Sequence, residues 1–502
     1  MSINLKDLGD PLEFWEYFEQ ISKIPRCSGN EEQICNFITR EAEKFGFQTK
    51  KDDRNNLFVK ISSKNKGNKN LKLVLQCHLD MVCEKNEGTI HDFSKDPISL
   101  RIIEINDEKW LCAKGTTLGA DNGVGIAYLL TLMKKVHSKE LVLDSKDLNL
   151  LFTVQEEKGL SGAFNISKDF ISGDYLINLD SEDDDSFIIG CAGGINTNID
   201  INFTYLSSID SFLRDSLALK LLVKGLVGGH SGADIHRNRA NAIKLISEVL
   251  WKINDKYSLH LNAINGGNLS NAIPRECEAI IFVKRNEISD IKRFFNQIFS
   301  EIKVKFSETE PNMELTLSII NDFKKKEIMP INLKNKLIHI LYMIPHGPIS
   351  YHSKIPNLVH TSTNLASIKT ENNVIKIKTS QRSLQEESKK EIYQKINALF
   401  ESSELKATIH CTGGYPGWEP NFNSKIVEIS KKAYKKIFNE EPKIEVIHAG
   451  LETGILKKTF PDLDMISIGP TIKNPHSPQE MLKIKSVEKM WNFLITLLTC
   501  II

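Results

Sequence analysis

Five short apolar runs in this 502-residue chain end in a histidine or a carboxylate. LKLVLQC (71–77) runs into His78 and Asp80, LNLLFTVQ (148–155) into Glu156 and Glu157, and DYLINL (174–179) into Asp180. KIEVI (443–447) leads into HAGLETG and so to His448, and DMISIG (464–469) into GPTIKNPHSPQE, which carries His476. A sixth acid, Asp121, sits in the Gly-rich turn of GTTLGADNGVGIAYLL (115–130), just ahead of a helical pattern. Each of these is weak alone. With thirteen histidines in the chain, about one HxD tripeptide is expected by accident, and an acid before a helix is an ordinary N-cap. Their convergence carries the information, because ligands of an open parallel sheet bind beyond the carboxyl ends of its strands.

Histidine, aspartate and glutamate gathered at one sheet edge are the donors of a divalent metal site. Zinc suits imidazole and carboxylate together, and manganese or cobalt fits the same shell. Two ions about 3.5–4 Å apart that share a carboxylate polarise a carbonyl and generate hydroxide at neutral pH. Asp121 is the candidate bridging carboxylate. Asp80, two residues beyond His78, can accept the other imidazole N–H and fix the tautomer. Glu156 and Glu157 diverge as they leave the strand, so one can ligate while the other acts as general base. On residue type alone, His448 and His476 compete for one ligand position, and the acidic run SEDDD (181–185) reads as a solvated turn.

The elements that must position these groups follow from periodicity. The five runs do not alternate, and helical patterns lie between them, notably GVGIAYLLTLMKKV (123–136) and residues 421–438. This predicts an α/β fold: a mostly parallel sheet with helices on both faces. Residues 11–24 and 31–47 read as two amphipathic helices separated by PRCSGN. SLALKLLVKG (216–225), ECEAIIFVKR (276–285) and NVIKIKTSQRS (373–383) alternate more, which predicts an inserted α+β lid domain with antiparallel strands. The expected divisions are a catalytic domain over 1–188 and 389–502, with the lid at 189–388. No internal repeat is visible.

Composition narrows the function classes. Apolar residues make up 41% and charged residues 26%, with a net charge of +1, so nothing electrostatic points to nucleic acid or an anionic membrane as partner. The Lys-rich stretch 60–70 reads as a solvated loop. Nine cysteines without CxxC spacing predict core thiols in a reducing compartment. The N-terminus has no secretory pattern, and the apolar tail 491–502 is too short to span a bilayer. The expected location is the cytoplasm.

HLDMV (78–82), GTTLGADNGVGIA (115–127), EEKGLSGA (156–163), NLDSE (178–182), GCAGG (190–194) and GGHSGADIHRNRANA (228–242) resemble motifs of the di-zinc aminopeptidase/aminoacylase superfamily. YPGWEPN (415–421), HAGLETG (448–454) and SIGPTIKNPHSPQE (467–480) are similar to the aminoacyl-histidine dipeptidases within it, and IPRCSGNEEQI (24–34) fits as well. The resemblance runs from about residue 10 to the C-terminus. It implies hydrolysis of Xaa-His and other dipeptides with two metal ions, and a homodimer or monomer. It makes His78 and Asp180 ligands of one ion, Glu157 and His476 ligands of the other, and Asp121 the bridge. Asp80 then orients His78, and Glu156 is the general base. His230 from the lid would stabilise the oxyanion, while Asn271 and Arg382 would hold the substrate carboxylate. Thr453 departs from the Cys common in the family's HAGLECG, with a small effect expected because Glu452 is kept. Competing readings are a tripeptidase or N-acyl-amino-acid hydrolase of the same superfamily, and a catalytically silent metal-binding relative.

Overall fold

The computed structural model describes residues 4–63, 71–142, 146–207, 213, 215–321, 323 and 327–501. The part of the Lys-rich loop at 64–70 lies outside them. The chain divides into two units. The first comprises residues 1–191, 418–446 and 451–502, and the second 192–417 and 447–450.

The first unit is built on an eight-stranded sheet. Its central strands are Lys146–Thr153, Leu71–His78, Tyr175–Asn178 and Asp464–Ser467, each parallel to its neighbour. Both faces are covered, so these runs need no alternation. Residues 73–78 are all buried, as are 148–153. Register places His78 opposite Thr153 and Gln76 opposite Asn178, so the polar residues that follow leave the sheet at nearly one level. The helix Ala120–His137 is buried along most of its length and packs against Leu12–Ile21 through Phe14 and Tyr128, whose rings lie 4.7 Å apart. The C-terminal helix Ile484–Cys500 buries one face, with Phe493 stacked on Phe187 at 5.1 Å and edge-on to Tyr434 at 5.5 Å. Among the described residues, no helix is long and apolar enough to cross a membrane.

The second unit holds a nine-stranded sheet. The predicted antiparallel strands are present as Ser216–Lys224, Cys277–Lys284 and Val374–Ser383. Two features differ from the sequence reading. First, the insertion closes at residue 417 rather than 388. Helix Glu386–Ser402 buries Ile392, Ile396 and Phe400 in the second core, and strand Thr408–Tyr415 pairs with Gly193–Asn202. Second, the sheet repeats. Ser216–Lys224, a helix, Leu259–Gly266, Cys277–Lys284, a helix and Glu314–Ile319 form one half. Gly193–Asn202, a helix, Val359–Glu371, Val374–Ser383, a helix and Thr408–Tyr415 form the other. The strand order of one half is the reverse of the other, and the halves join through Leu259–Gly266 and Val359–Glu371. Sequence hides this repeat because the first half is inserted after the first strand of the second.

The cysteine expectation also needs correction. Cys27 and Cys83 form a disulfide with Cα atoms 5.7 Å apart across 56 residues of sequence. A β-bridge between Cys27 and Met81 brings them together. The other seven are free, and five of those are buried.

Phe493→Ala should remove about 3–5 kcal/mol of stability, read as an earlier unfolding transition in urea.

Candidate metal centre

All seven residues expected at the catalytic sheet edge lie together in the first unit. Asp121 divides its carboxylate: Oδ1 lies 2.9 Å from His78 Nε2, and Oδ2 lies 3.0 Å from His476 Nε2. His78 Nε2 is also 3.2 Å from Asp180 Oδ1, and His476 Nε2 is 3.0 Å from Glu157 Oε1. Two groups able to hold a cation result, His78–Asp121–Asp180 and Asp121–Glu157–His476. A third, His78–Glu156–Glu157, places the second glutamate beside them.

Asp80 does more than the spacing predicts. Its Oδ1 lies 3.4 Å from His78 Nδ1, which suits the orienting role. Its two oxygens also accept the backbone N–H of Glu156 at 3.0 Å and of Glu157 at 3.1 Å. One buried carboxylate therefore ties the first strand end to the second.

Several supporting residues are absent from the sequence reading. Glu480 accepts the backbone N–H of Leu118, Gly119 and Asp121 at 2.8–3.1 Å, so the loop bearing His476 grips the turn bearing Asp121. Buried Arg26 donates to the carbonyls of Leu79, Asp80 and Gly119. Gly119 has φ +70°, and a Cβ there would meet Arg26 and Met81. Asn122 Nδ2 donates to Asp180 Oδ1 at 2.6 Å. One layer below, Glu452 Oε2 accepts from Gln76 Nε2 and Thr153 Oγ1, each at 2.6 Å. Gln76 Oε1 accepts from Asn178, and Asn178 Oδ1 from Ser467. Arg26 and Glu480 lie within motifs that were legible, but they act on backbone groups, which no side-chain pattern reveals.

The electrostatics describe a site short of positive charge. Burial opposes a charge on His78, yet Asp180, Asp121 and Asp80 outweigh it and raise its pKa well above that of free imidazole. His476 is pushed up to about 11 by its contacts with Asp121 and Glu157. Burial raises Asp121, but His476 and His78 more than reverse this and hold it below the usual carboxylate range. Burial lifts Asp180 to about 6 and Glu452 to about 8, and lifts Glu156 well above an ordinary glutamate. Each imidazole Nε2 faces two carboxylates, which one N–H cannot satisfy. Carboxylates and imidazoles converging in this way fit divalent cations, with Asp121 able to serve both.

The remaining predicted residues lie in the second unit. Arg382 is buried at 7% exposure, with Nη2 3.3 Å from His230 Nε2 and Nη1 2.8 Å from the Tyr415 hydroxyl. Asn271 adjoins His230 through the backbone, its carbonyl accepting from Ser231 N–H at 2.7 Å, while its side chain is exposed. The rival histidine, His448, belongs to this unit and not to the ligand groups. Its Nε2 pairs with Ser362 Oγ at 2.7 Å. Burial, then the neighbouring Arg382, lowers its pKa to about 3. HAGLETG thus divides between the units, His448–Gly450 in the second and Leu451–Gly454 in the first. The acidic run includes exposed Glu182 and Asp183, and its Asp185 pairs with Lys443 at 2.8 Å.

The chain is 37% identical over 490 residues to the cytosol non-specific dipeptidase of Escherichia coli, covering 97% of each chain. It belongs to the cytosol non-specific dipeptidase family. Aminoacylhistidine dipeptidase from Vibrio alginolyticus has a similar structure, with a TM-score of 0.85 at 35% identity, covering 98% of this chain and 96% of that one. A tripeptidase from Staphylococcus aureus shares the fold, with a TM-score of 0.55 at 16% identity, covering 99% and 98% of the respective chains. Family models described as peptidase family M28 and peptidase dimerisation domain match residues 56–194 and 222–310. Membership of this dipeptidase family makes the chain a metallopeptidase that binds divalent metal.

Asp80→Asn should weaken metal binding about 10–100-fold, measured by competition with a chromogenic chelator. A second expectation concerns pH. His448 titrates near 3 in the folded chain and near 6.5 when unfolded. A lowered folded value means that its contribution is fully present above pH 6.5 and is lost as pH falls towards 3. The loss is on the order of 3–5 kcal/mol. Unfolding curves of His448→Asn should therefore fall less steeply than the parent's across that window.

Proposed function

We propose that this chain hydrolyses dipeptides, Xaa-His among them, with a water activated at two divalent cations. The observation that carries this reading is the division of the Asp121 carboxylate between His78 and His476. His78, Asp180 and Asp121 would hold one ion, and Glu157, His476 and Asp121 the other. Zinc suits these donors best, and manganese or cobalt fits them too. When bound, such ions supply Lewis acidity and a nucleophile at neutral pH.

The chain's own groups do the rest. Asp80 keeps the His78 ring oriented and fixes the backbone of both glutamates. Glu156 takes a proton from the attacking water on its carboxylate and passes it to the departing amine nitrogen. Its raised pKa suits a group that must first accept and then release a proton near neutrality. His230 donates from Nε2 to the oxygen of the scissile carbonyl as charge develops there. Arg382 and Asn271 receive the free carboxylate, which limits the substrate to two residues. Homology to a cytosol dipeptidase supports a cytoplasmic location. The match to a dimerisation domain supports a homodimer, and pairing of the two sheet halves within one chain keeps His230 and Arg382 together in each copy.

Glu156→Gln should keep its metal content and lower kcat by about 10²–10⁴-fold. Metal analysis beside dipeptide turnover tests this, and unchanged turnover would exclude Glu156 as the base. Tripeptides and N-acetyl amino acids, assayed in parallel, should be poor substrates.

A further inference from the structure

Tyr415 ends the strand Thr408–Tyr415 and is held at both ends. Its hydroxyl accepts from Arg382 Nη1 at 2.8 Å, and its carbonyl accepts from the buried Lys389 Nζ at 2.6 Å. The ring lies in a slot between two glycines. A Cβ at Gly194 would come within 2.6 Å of Cε1, Cζ and the hydroxyl, and one at Gly450 within 2.6 Å of Cε2. Real side chains do not approach so closely, so both positions must stay without a Cβ for the ring to fit. The two glycines come from distant parts of the sequence, and each belongs to a motif, GCAGG or HAGLETG, that the catalytic groups leave unexplained.

Across the guanidinium from Tyr415, Arg382 Nη2 meets His230. The backbone N–H of Ala233 donates to His230 Nδ1 at 3.0 Å, which assigns the proton of a neutral ring to Nε2. That Nε2–H then faces Arg382 Nη2–H at 3.3 Å, donor against donor. Arg382 Nε is buried without a partner. Donors that converge in this way are arranged for an anionic oxygen, and a guanidinium takes a carboxylate best when its fork is fixed in one orientation.

We propose that Tyr415, seated between Gly194 and Gly450, is a positioning residue that sets the Arg382 fork for the α-carboxylate of the substrate. By taking up Nη1, the hydroxyl leaves Nη2 and Nε for the ligand. The consequence is selectivity for peptides with a free carboxyl terminus, expressed in KM rather than in kcat. This inference rests on the reading of Arg382 as the carboxylate clamp.

The test compares an Xaa-His dipeptide with its C-terminal amide on the metal-loaded enzyme. Tyr415→Phe keeps the ring and removes the hydroxyl to which Arg382 Nη1 donates. It should raise KM for the free acid about tenfold, equivalent to one lost hydrogen bond to a charged group, with kcat and the kinetics on the amide little changed. Gly450→Ala, which crowds the ring with Tyr415 intact, should shift selectivity in the same direction. Arg382→Met should abolish discrimination between acid and amide, with Arg382→Gln in its place if the Met variant does not fold. If discrimination survives the loss of Arg382, the clamp reading fails. If it is lost there while Tyr415→Phe keeps the parent's KM, the clamp stands and the Tyr415 proposal is overturned. A fall in kcat on both substrates at unchanged KM would likewise overturn it, because general damage does not distinguish acid from amide.

Discussion

The structure depends on placing several carboxylates against one another at the end of a buried sheet. Asp121, Asp180, Glu156 and Glu157 crowd around two imidazoles, an arrangement that repels itself unless positive charge enters. Protons on His78 and His476 supply that charge when no cation is bound, as their raised pKa values indicate. Bound cations supply it more strongly, so the same repulsion that strains the empty arrangement becomes affinity for metal.

Such a cluster needs rigid support, and three kinds are present. Register in the parallel sheet sets His78, the glutamates and Asp180 at one height. A polar layer beneath, from Ser467 through Asn178 and Gln76 to Glu452 and Thr153, links the four central strands side chain to side chain. Above it, Asp80, Arg26 and Glu480 hold the backbone of the loops. The first is set by hydrophobic burial, the second by buried polar groups hydrogen-bonded to one another, and the third by charged side chains that cap backbone groups. His78, Glu157 and Asp180 are thus fixed from below by their strands, while Asp121 and His476 are held through their loops, which Glu480 ties together.

The sequence made the catalytic half legible because its apolar runs are buried on both faces and end in chemically distinctive residues. His78, Asp80, Glu156, Glu157 and Asp180 could be placed from that pattern alone. His476 could not be preferred to His448 on the same grounds, since both follow a strand. What separates them is that the chain crosses between units at Ile447–Gly450, and no local pattern records a crossing. Arg26 and Glu480 stayed hidden because they bind main-chain groups, and Cys27 and Cys83 because a 56-residue separation hides their proximity. The repeat in the second sheet was masked for a topological reason: one copy interrupts the other, so no fixed period exists in the sequence.

That interruption has a consequence for biosynthesis. Strand Gly193–Asn202 lies in the interior of its sheet, between Val374–Ser383 and Thr408–Tyr415, and both partners emerge only after the whole intervening half. At about 5–20 residues per second, it waits roughly 10–30 s on the ribosome with both edges unpaired. Meanwhile the inserted half, continuous in sequence, can complete its own strands and helices and present Leu259–Gly266 as a template. Assembly order is therefore written into the chain's connectivity, and a nascent chain is most open to mispairing with its neighbours while that one strand stands alone.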